Sequence, residues 1–179
     1  MRILVFIAVL LASPALSQDR DGNDTPGEWV ITHHKPFGLW DSMCDERKTG
    51  DLLEQRCYLR YVDVFSPRPN FGAIFAFVTA DGNVEFGFEN GTVFKPHGMR
   101  IEKDGITTWT MPHRPCLFGG TCRFMDDEAI ALLAAMSTSN TLTFDFIDRH
   151  GAAQLRNWDL TKFANALGDF RAGVNQRGL

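Results

Sequence analysis

The sequence has no excess of positive charge: 18 Lys and Arg stand against 22 Asp and Glu, a formal net charge of −4 at pH 7. Nucleic-acid-binding proteins carry basic patches that neutralise phosphates, so this balance argues against that class of partner. The 179 residues also contain no repeat and no low-complexity tract. Their number and their 44% hydrophobic content fit one globular domain that can bury a core without a structural metal.

The motifs of common enzymes and metal sites are missing as well. No serine has a Gly-x-Ser-x-Gly setting, and no glycine-rich stretch joins a strand to a helix as phosphate cradles require. The cysteines lack both Cys-x-x-Cys spacing and the spacing of zinc ligands, and no two histidines are three or four residues apart. We therefore predict no metal, no cofactor, no catalytic residue and no enzymatic activity.

One enzymatic alternative stays open, because six aspartates lie in or beside predicted strands. If two of these carboxylates met in a cleft, or a strand carried a His and Asp pair, the protein would be a periplasmic hydrolase. Sequence order alone does not place them in space. They are Asp41, Asp45, Asp63, Asp145, Asp148 and Asp159.

The one long apolar run lies at the beginning of the sequence. Residues 3–12 are uninterruptedly apolar, and residues 13–17 supply a proline and small side chains before Gln18, which predicts a cleaved signal peptide over residues 1–17. The run is shorter than the ~20 residues that span a bilayer, so we predict no integral membrane segment after cleavage. The mature protein is expected to be periplasmic or secreted, with a flexible N-terminal segment over residues 18–27.

Exported cysteines meet an oxidising compartment, where paired thiols become disulfides. Four cysteines can be joined in three ways. We favour local pairing, because Cys44 and Cys57 are 13 residues apart and Cys116 and Cys122 are 6 apart. The chain-entropy model assigns about 3 kcal/mol to the first ring and about 2 kcal/mol to the second.

Short alternating runs separated by turn dipeptides predict an all-β domain over residues 28–170. The 15 Phe and 4 Trp would also suit a sugar-binding or peptide-binding face, but aromatic residues at alternating strand positions are usually core. The predicted buried residues are Trp40, Leu59, Tyr61, Phe75, Phe77, Phe86, Leu132, Phe144, Phe146, Leu155, Trp158 and Phe163.

Two short helices accompany the strands. Residues 129–136 are rich in Ala and Leu and follow Asp126, a suitable N-cap residue. Residues 161–167 form the second predicted helix, which Gly168 is expected to end. The remaining residues, 171–179, are predicted to be a disordered tail.

The loop over residues 112–122 combines apolar side chains with a restricted backbone. Two prolines and the predicted bridge from Cys116 to Cys122 would hold it in few conformations, so it would lose little entropy on binding. In the alternative interpretation the bridge only staples a strand to a helix, and the apolar side chains pack into the core. The candidate binding residues of this loop are His113, Arg114, Leu117 and Phe118.

Four segments together carry a family resemblance. They are Phe37–Cys44 (FGLWDSMC), Arg56-Cys57, Pro115–Cys122 (PCLFGGTC) and Trp158–Leu167 (WDLTKFANAL). In this order they resemble the invasion-associated locus B family of alphaproteobacteria, over residues 37–168. The chain departs from the family pattern at Thr121, which separates the last glycine from Cys122, and in residues 158–163, which contain no glycine.

The resemblance implies an immunoglobulin-like antiparallel β-sandwich that is exported and non-catalytic, and it brings no ligand-binding residues with it. Combined with the two predicted disulfides and two short helices, it suggests an envelope protein that binds an unknown protein partner in the envelope or outside the cell. The family name points to host-cell invasion, but a name alone transfers no function.

Overall fold

The computed structural model describes residues 28–66, 71–112 and 120–179. The predicted signal peptide and the segment 18–27 lie outside the described residues. So do Cys116 and the candidate binding residues His113, Arg114, Leu117 and Phe118.

Ten strands and two helices make up the described part of the chain. The strands are β1 Val30–Phe37, β2 Trp40–Thr49, β3 Leu52–Ser66, β4 Gly72–Thr79, β5 Val84–Phe88, β6 Val93–Lys103, β7 Ile106–Thr110, β8 Gly120–Phe124, β9 Thr141–Ile147 and β10 Ala153–Asp159. The helices are α1 Asp126–Thr138 and α2 Phe163–Arg177.

The strands form two sheets, and every strand pairing is antiparallel. The six-stranded sheet has the order β1-β2-β3-β4-β5-β8, and the four-stranded sheet has the order β10-β9-β6-β7. This confirms an all-β domain with two helices. Five consecutive strands lie side by side as a meander, whereas immunoglobulin sheets follow a Greek-key order. The strand order therefore differs from the immunoglobulin-like one that the family resemblance implies.

Aromatic side chains fill the space between the inner faces of the two sheets. Phe86 of the six-stranded sheet lies 5.9 Å, between ring centroids, from Phe144 of the four-stranded sheet, and Trp40 lies 5.9 Å from Trp158. All four side chains are buried. Rings at this separation and tilt attract one another in addition to the area they bury.

The predicted core is mostly confirmed but is wrong at two positions. Phe75 is 36% exposed and Leu155 is 59% exposed, while Tyr61 and Phe77 are partly buried. In β4 the inward side chains are the smaller ones between the aromatic residues, such as Ile74, so the aromatics point outward. Leu155 pairs across the strands with Asp145 on the outer face of its sheet.

Helix α2 covers one end of the six-stranded sheet and is longer than predicted. It packs against β1, β2 and β3, and it continues past Gly168 because Phe170 and Val174 extend the buried side of the helix. Gly178, with a left-handed φ of 67°, ends it. The predicted end at Gly168 and the predicted disorder of residues 171–179 are therefore wrong.

The predicted capping role of Asp126 is also wrong. Helix α1 includes Asp126, and Met125 occupies the N-cap position without a side-chain hydrogen bond. Three acidic residues still fill the first turn, where the partial positive charge of the helix end favours them.

Candidate functional site

The outer face of the six-stranded sheet carries exposed apolar side chains on neighbouring strands. Val62 and Val64 of β3 are 48% and 55% exposed, and Phe75 of β4 lies directly opposite Val62. Phe75 in turn lies opposite Gly87 of β5. A Cβ atom at Gly87 would stand 1.7 Å from the Phe75 ring, so the ring covers a position where only glycine leaves room for it.

A depression of about 510 Å3 lies beside this apolar stripe. We call it the outer-face depression. Tyr58 and Phe77 meet edge to face within it, with centroids 5.9 Å apart, and Phe77 lies 5.7 Å from Phe75. The depression is lined by Arg56, Cys57, Tyr58, Arg60, Phe77, Thr79, Ala80 and Glu85.

One side of the outer-face depression is held by a closed set of polar contacts. The Arg56 guanidinium donates two hydrogen bonds to the Asp45 carboxylate, at 2.7 and 3.0 Å, and stacks 3.7 Å from the Trp29 ring. The Tyr58 hydroxyl donates to the same carboxylate at 3.2 Å. Hydrogen bonding to Asp45 raises the pKa of Arg56, and burial followed by the charge of Asp45 raises the pKa of Tyr58.

Arg60 differs from Arg56 in having its donors open. Its nearest carboxylate oxygen is Oδ2 of Asp41, 3.9 Å from Nε, which is too far for a hydrogen bond. The other carboxylate oxygen of Asp41 pairs with His34 at 2.9 Å. Within the described chain no hydrogen bond joins the Arg60 side chain to another residue, and that side chain is 39% exposed.

The strand register places Arg60 in a row of five residues, one from each of five neighbouring strands. Each residue of the row lies directly opposite the next on the neighbouring strand, and the same outer face carries all of them. The row ends in an ion pair between Arg123 and Glu85 at 3.1 Å. In order from β2 to β8 it reads Asp41, Arg60, Phe77, Glu85 and Arg123.

The structure confirms the first predicted disulfide. Cys44 and Cys57 are joined and face each other in the register of β2 and β3, and both are buried. Cys122 is buried on β8, and no described cysteine is free. The bridge from Cys116 to Cys122 stays a prediction because Cys116 lies outside the described residues.

The six aspartates that motivated the hydrolase alternative each have their own partners. Asp63 accepts hydrogen bonds from Arg156 and from the Trp158 indole, and Asp145 pairs with Lys95. Asp148 accepts from the backbone N–H groups of the turn that follows it, and Asp159 from Thr161. Asp41 and Asp45 belong to the outer face described above. In the described part of the chain none of the six aspartates lines the outer-face depression, whose acidic residue is Glu85.

Three of the four described histidines likewise have local partners. His33 and His34 point to opposite sides of β1, where His33 pairs with Asp169 of α2 and His34 with Asp41. His150 accepts from Arg149 in the turn after β9. Within the three described ranges no group of three His, Cys, Asp or Glu side chains could hold a metal ion. Neither described helix is long and apolar enough to cross a membrane.

Sequence reasoning missed the residues of the outer-face depression. Alternation along β3 places Tyr58 and Arg60 on one face and Leu59 on the other, and an arginine in the set marks the solvent side. The alternation along β3 therefore indicates from sequence alone that Tyr58 and Arg60 face solvent. The sequence of β4 does not indicate the orientation of Phe77, because both faces of that strand are apolar.

The geometry defines a class of protein, a two-sheet antiparallel β-sandwich with a buried disulfide and an aromatic outer face. Among solved structures, the chain is similar to the crystal structure of invasion associated protein B from Bartonella henselae. The match has 19% sequence identity and a TM-score of 0.43, and it covers 81% of this chain and 99% of that chain. The matched protein carries the name of the family that the motifs resemble. No family model matches the chain, and neither does any curated protein.

Proposed function

We propose that this chain is an exported, non-enzymatic member of the invasion-associated locus B family that acts in the bacterial envelope, or outside the cell, by binding another protein. The signal-peptide pattern of residues 1–17 supports export. The buried bridge between Cys44 and Cys57 supports an oxidising compartment. Family membership is supported by the four sequence segments between residues 37 and 168.

The observation that carries the binding function is the aromatic and apolar outer face of the six-stranded sheet. Contiguous apolar patches on a folded surface commonly mark interaction sites. Aromatic residues and arginine are enriched where proteins meet, and lysine and glutamate are depleted. Val62, Phe75, Phe77 and Arg60 bring that composition together on one side of the sandwich.

A partner is best sought with a crosslinking side chain placed on each outer face in turn. A photoreactive amino acid at Val62 tests the six-stranded sheet. The same amino acid at Leu155 is the matched control, since both positions carry exposed aliphatic side chains, 48% and 59% exposed. We expect illumination of living cells to give one defined adduct with another protein from Val62 and none from Leu155.

A second variant tests whether the adduct requires the apolar outer face of the six-stranded sheet. Phe75→Ser, combined with the probe at Val62, should abolish the adduct while the melting temperature changes little. Equal labelling from both probes, or an adduct that survives Phe75→Ser, would contradict the proposed interface. The mass of the exported protein tests localisation separately, because cleavage before Gln18 is expected.

A further inference from the structure

We propose that the outer-face depression binds a segment of the partner protein that presents an aromatic side chain beside a carboxylate. The inference deepens the proposed function and rests on it, since it gives the chemistry of the partner. Its basis is the juxtaposition, on adjacent strands, of the Phe77 ring and the open guanidinium of Arg60.

The apolar half of the site is a place for one aromatic group. The volume of about 510 Å3 lies within the range of roughly 300–1,000 Å3 that holds small ligands. Tyr58 and Phe77 form its walls, and Ala80 adds a small apolar side chain to the lining. A third ring can meet these two in the edge-to-face or offset arrangements that aromatic side chains prefer.

The charged half follows from comparing the two arginines that line the depression. Asp45 already occupies Arg56 with a two-pronged contact. Among the described residues the nearest carboxylate to Arg60 is that of Asp41, at 3.9 Å, and one oxygen of that carboxylate pairs with His34. A carboxylate from a partner would give Arg60 the paired, charge-assisted hydrogen bonds that its fork of N–H donors can form.

The rest of the row favours a single carboxylate over a more highly charged group. Phe77 stands between Arg60 and Glu85 in the register. On the far rim of the depression Glu85 is paired with Arg123 at 3.1 Å, so that rim offers no unpaired positive group. Arg60 is therefore the one arginine of the described lining without a close carboxylate, which matches a single carboxylate better than a phosphate or polyanion. The partner segment is therefore oriented, with its negative group toward β3.

The test uses short peptides whose chemistry differs by one group. The probe is acetylated and amidated Gly-Phe-Glu-Gly, compared with Gly-Phe-Gln-Gly, which lacks the charge, and Gly-Ala-Glu-Gly, which lacks the ring. Binding is followed by NMR on the full mature chain, including the side-chain Nε–H signals of arginine. We expect millimolar binding of the first peptide, with shifts at Arg60, Tyr58 and Phe77, and binding about tenfold weaker for the other two.

Arg60→Gln should remove the preference for Glu over Gln in the peptide. Arg149→Gln is the matched control, because the Arg149 side chain is 40% exposed and ion-paired on the surface, away from the depression. The control should keep the preference. The proposal is overturned if the peptides shift other residues or none, if Glu and Gln peptides bind equally, or if Arg60→Gln keeps the preference. Should the peptides fail while the Val62 adduct persists, the partner chemistry is wrong and the binding function stands; failure of both removes both.

Discussion

The two outer faces of the sandwich differ in the side chains that accompany their polar pairs. On the four-stranded sheet Lys95 pairs with Asp145 at 2.6 Å and Thr143 with Asn157 at 3.0 Å, and the aliphatic Leu155 is 59% exposed between them. On the six-stranded sheet a stripe of aromatic and aliphatic side chains faces outward beside Arg60, whose side chain has no hydrogen bond to any described residue. The first face carries a single aliphatic side chain among paired polar groups. The second joins several apolar rings and valines to Arg60, and under the proposed function this is the combination that a partner covers.

The largest effect is expected where an aromatic residue faces inward. Phe146 of the four-stranded sheet is 1% exposed and contacts Phe65 and Phe94. Phe146→Ala should lower the free energy of unfolding by about 3–5 kcal/mol, because it removes buried area and leaves a cavity. Denaturant unfolding measures this loss. A value below about 1 kcal/mol would mean that the faces of β9 are assigned the wrong way round.

The next effect concerns the polar contact that joins the two sheets through the interior. Asp63 of β3 accepts two hydrogen bonds from Arg156 and one from the Trp158 indole, both on β10. Asp63→Ala should cost about 3 kcal/mol, because the donors lose their acceptor in a largely buried site. Asp145→Ala, on the outer face of the four-stranded sheet, should cost less than about 1 kcal/mol. Similar losses for both variants would erase the contrast between interior and surface.

A smaller, acid-sensitive effect is expected where α2 meets β1. Burial alone would raise the pKa of Asp169, but hydrogen bonds from His33 and Lys35 outweigh it and lower the pKa below the ordinary 3.8. The contribution of ionised Asp169 to the free energy of unfolding is therefore complete above its unfolded-state pKa. It is lost as the pH falls through the lower folded-state pKa. These side chains are partly exposed, so Asp169→Asn should cost about 1 kcal/mol or less at pH 7. Unfolding curves of the two proteins should converge below about pH 4; a gap that persists in acid contradicts this.

The smallest effect on stability is expected from an aromatic residue that faces outward. Phe75→Ala removes a ring that covers Gly87 and packs beside Phe77, and cross-strand pairs of this kind contribute roughly 0.2–1 kcal/mol. The loss measured by thermal unfolding should therefore stay under about 1 kcal/mol. A loss as large as that of Phe146→Ala would show that this ring supports the fold, and the outer face would no longer stand apart from the core.

Alternation predicts a strand's inner face only where the two sets of residues differ. In β9 Phe144 and Phe146 alternate with Thr143 and Asp145, and the prediction of buried phenylalanines is confirmed. In β4 the two alternating sets are both apolar, and local sequence contains nothing that selects between them. Size alone favours the larger side chains as the buried set. The sandwich instead has room there for the smaller set, because rings from the neighbouring strands already occupy the space.

The candidate site depended on information that no single strand contains. Arg60, Phe77 and Glu85 become neighbours only through the register of three strands. A slip of one residue would turn any of them to the other face. The dipeptide Asp81-Gly82 between β4 and β5 is typical of a tight hairpin turn, so the pairing of these two strands has a local signal. The sequence does not predict how far β3 extends before β4 begins.

Helix α2 shows the opposite case, in which a strong local signal misled. Gly168 is a suitable residue to end a helix, but Phe170 and Val174 continue the apolar side of α2 beyond it. Tertiary packing of that side overrides the cost of about 1 kcal/mol for one interior glycine.

A second glycine of the same helix has a different consequence. Gly173 lies over the disulfide, so closely that a Cβ atom there would be 3.1 Å from Sγ of Cys44. The end of α2 therefore covers the Cys44 sulfur of a bridge whose two cysteines are buried. A thiol reagent reaches that sulfur when the fold opens locally, so we expect reduction to become faster when the end of α2 is loosened, without unfolding of the sheets.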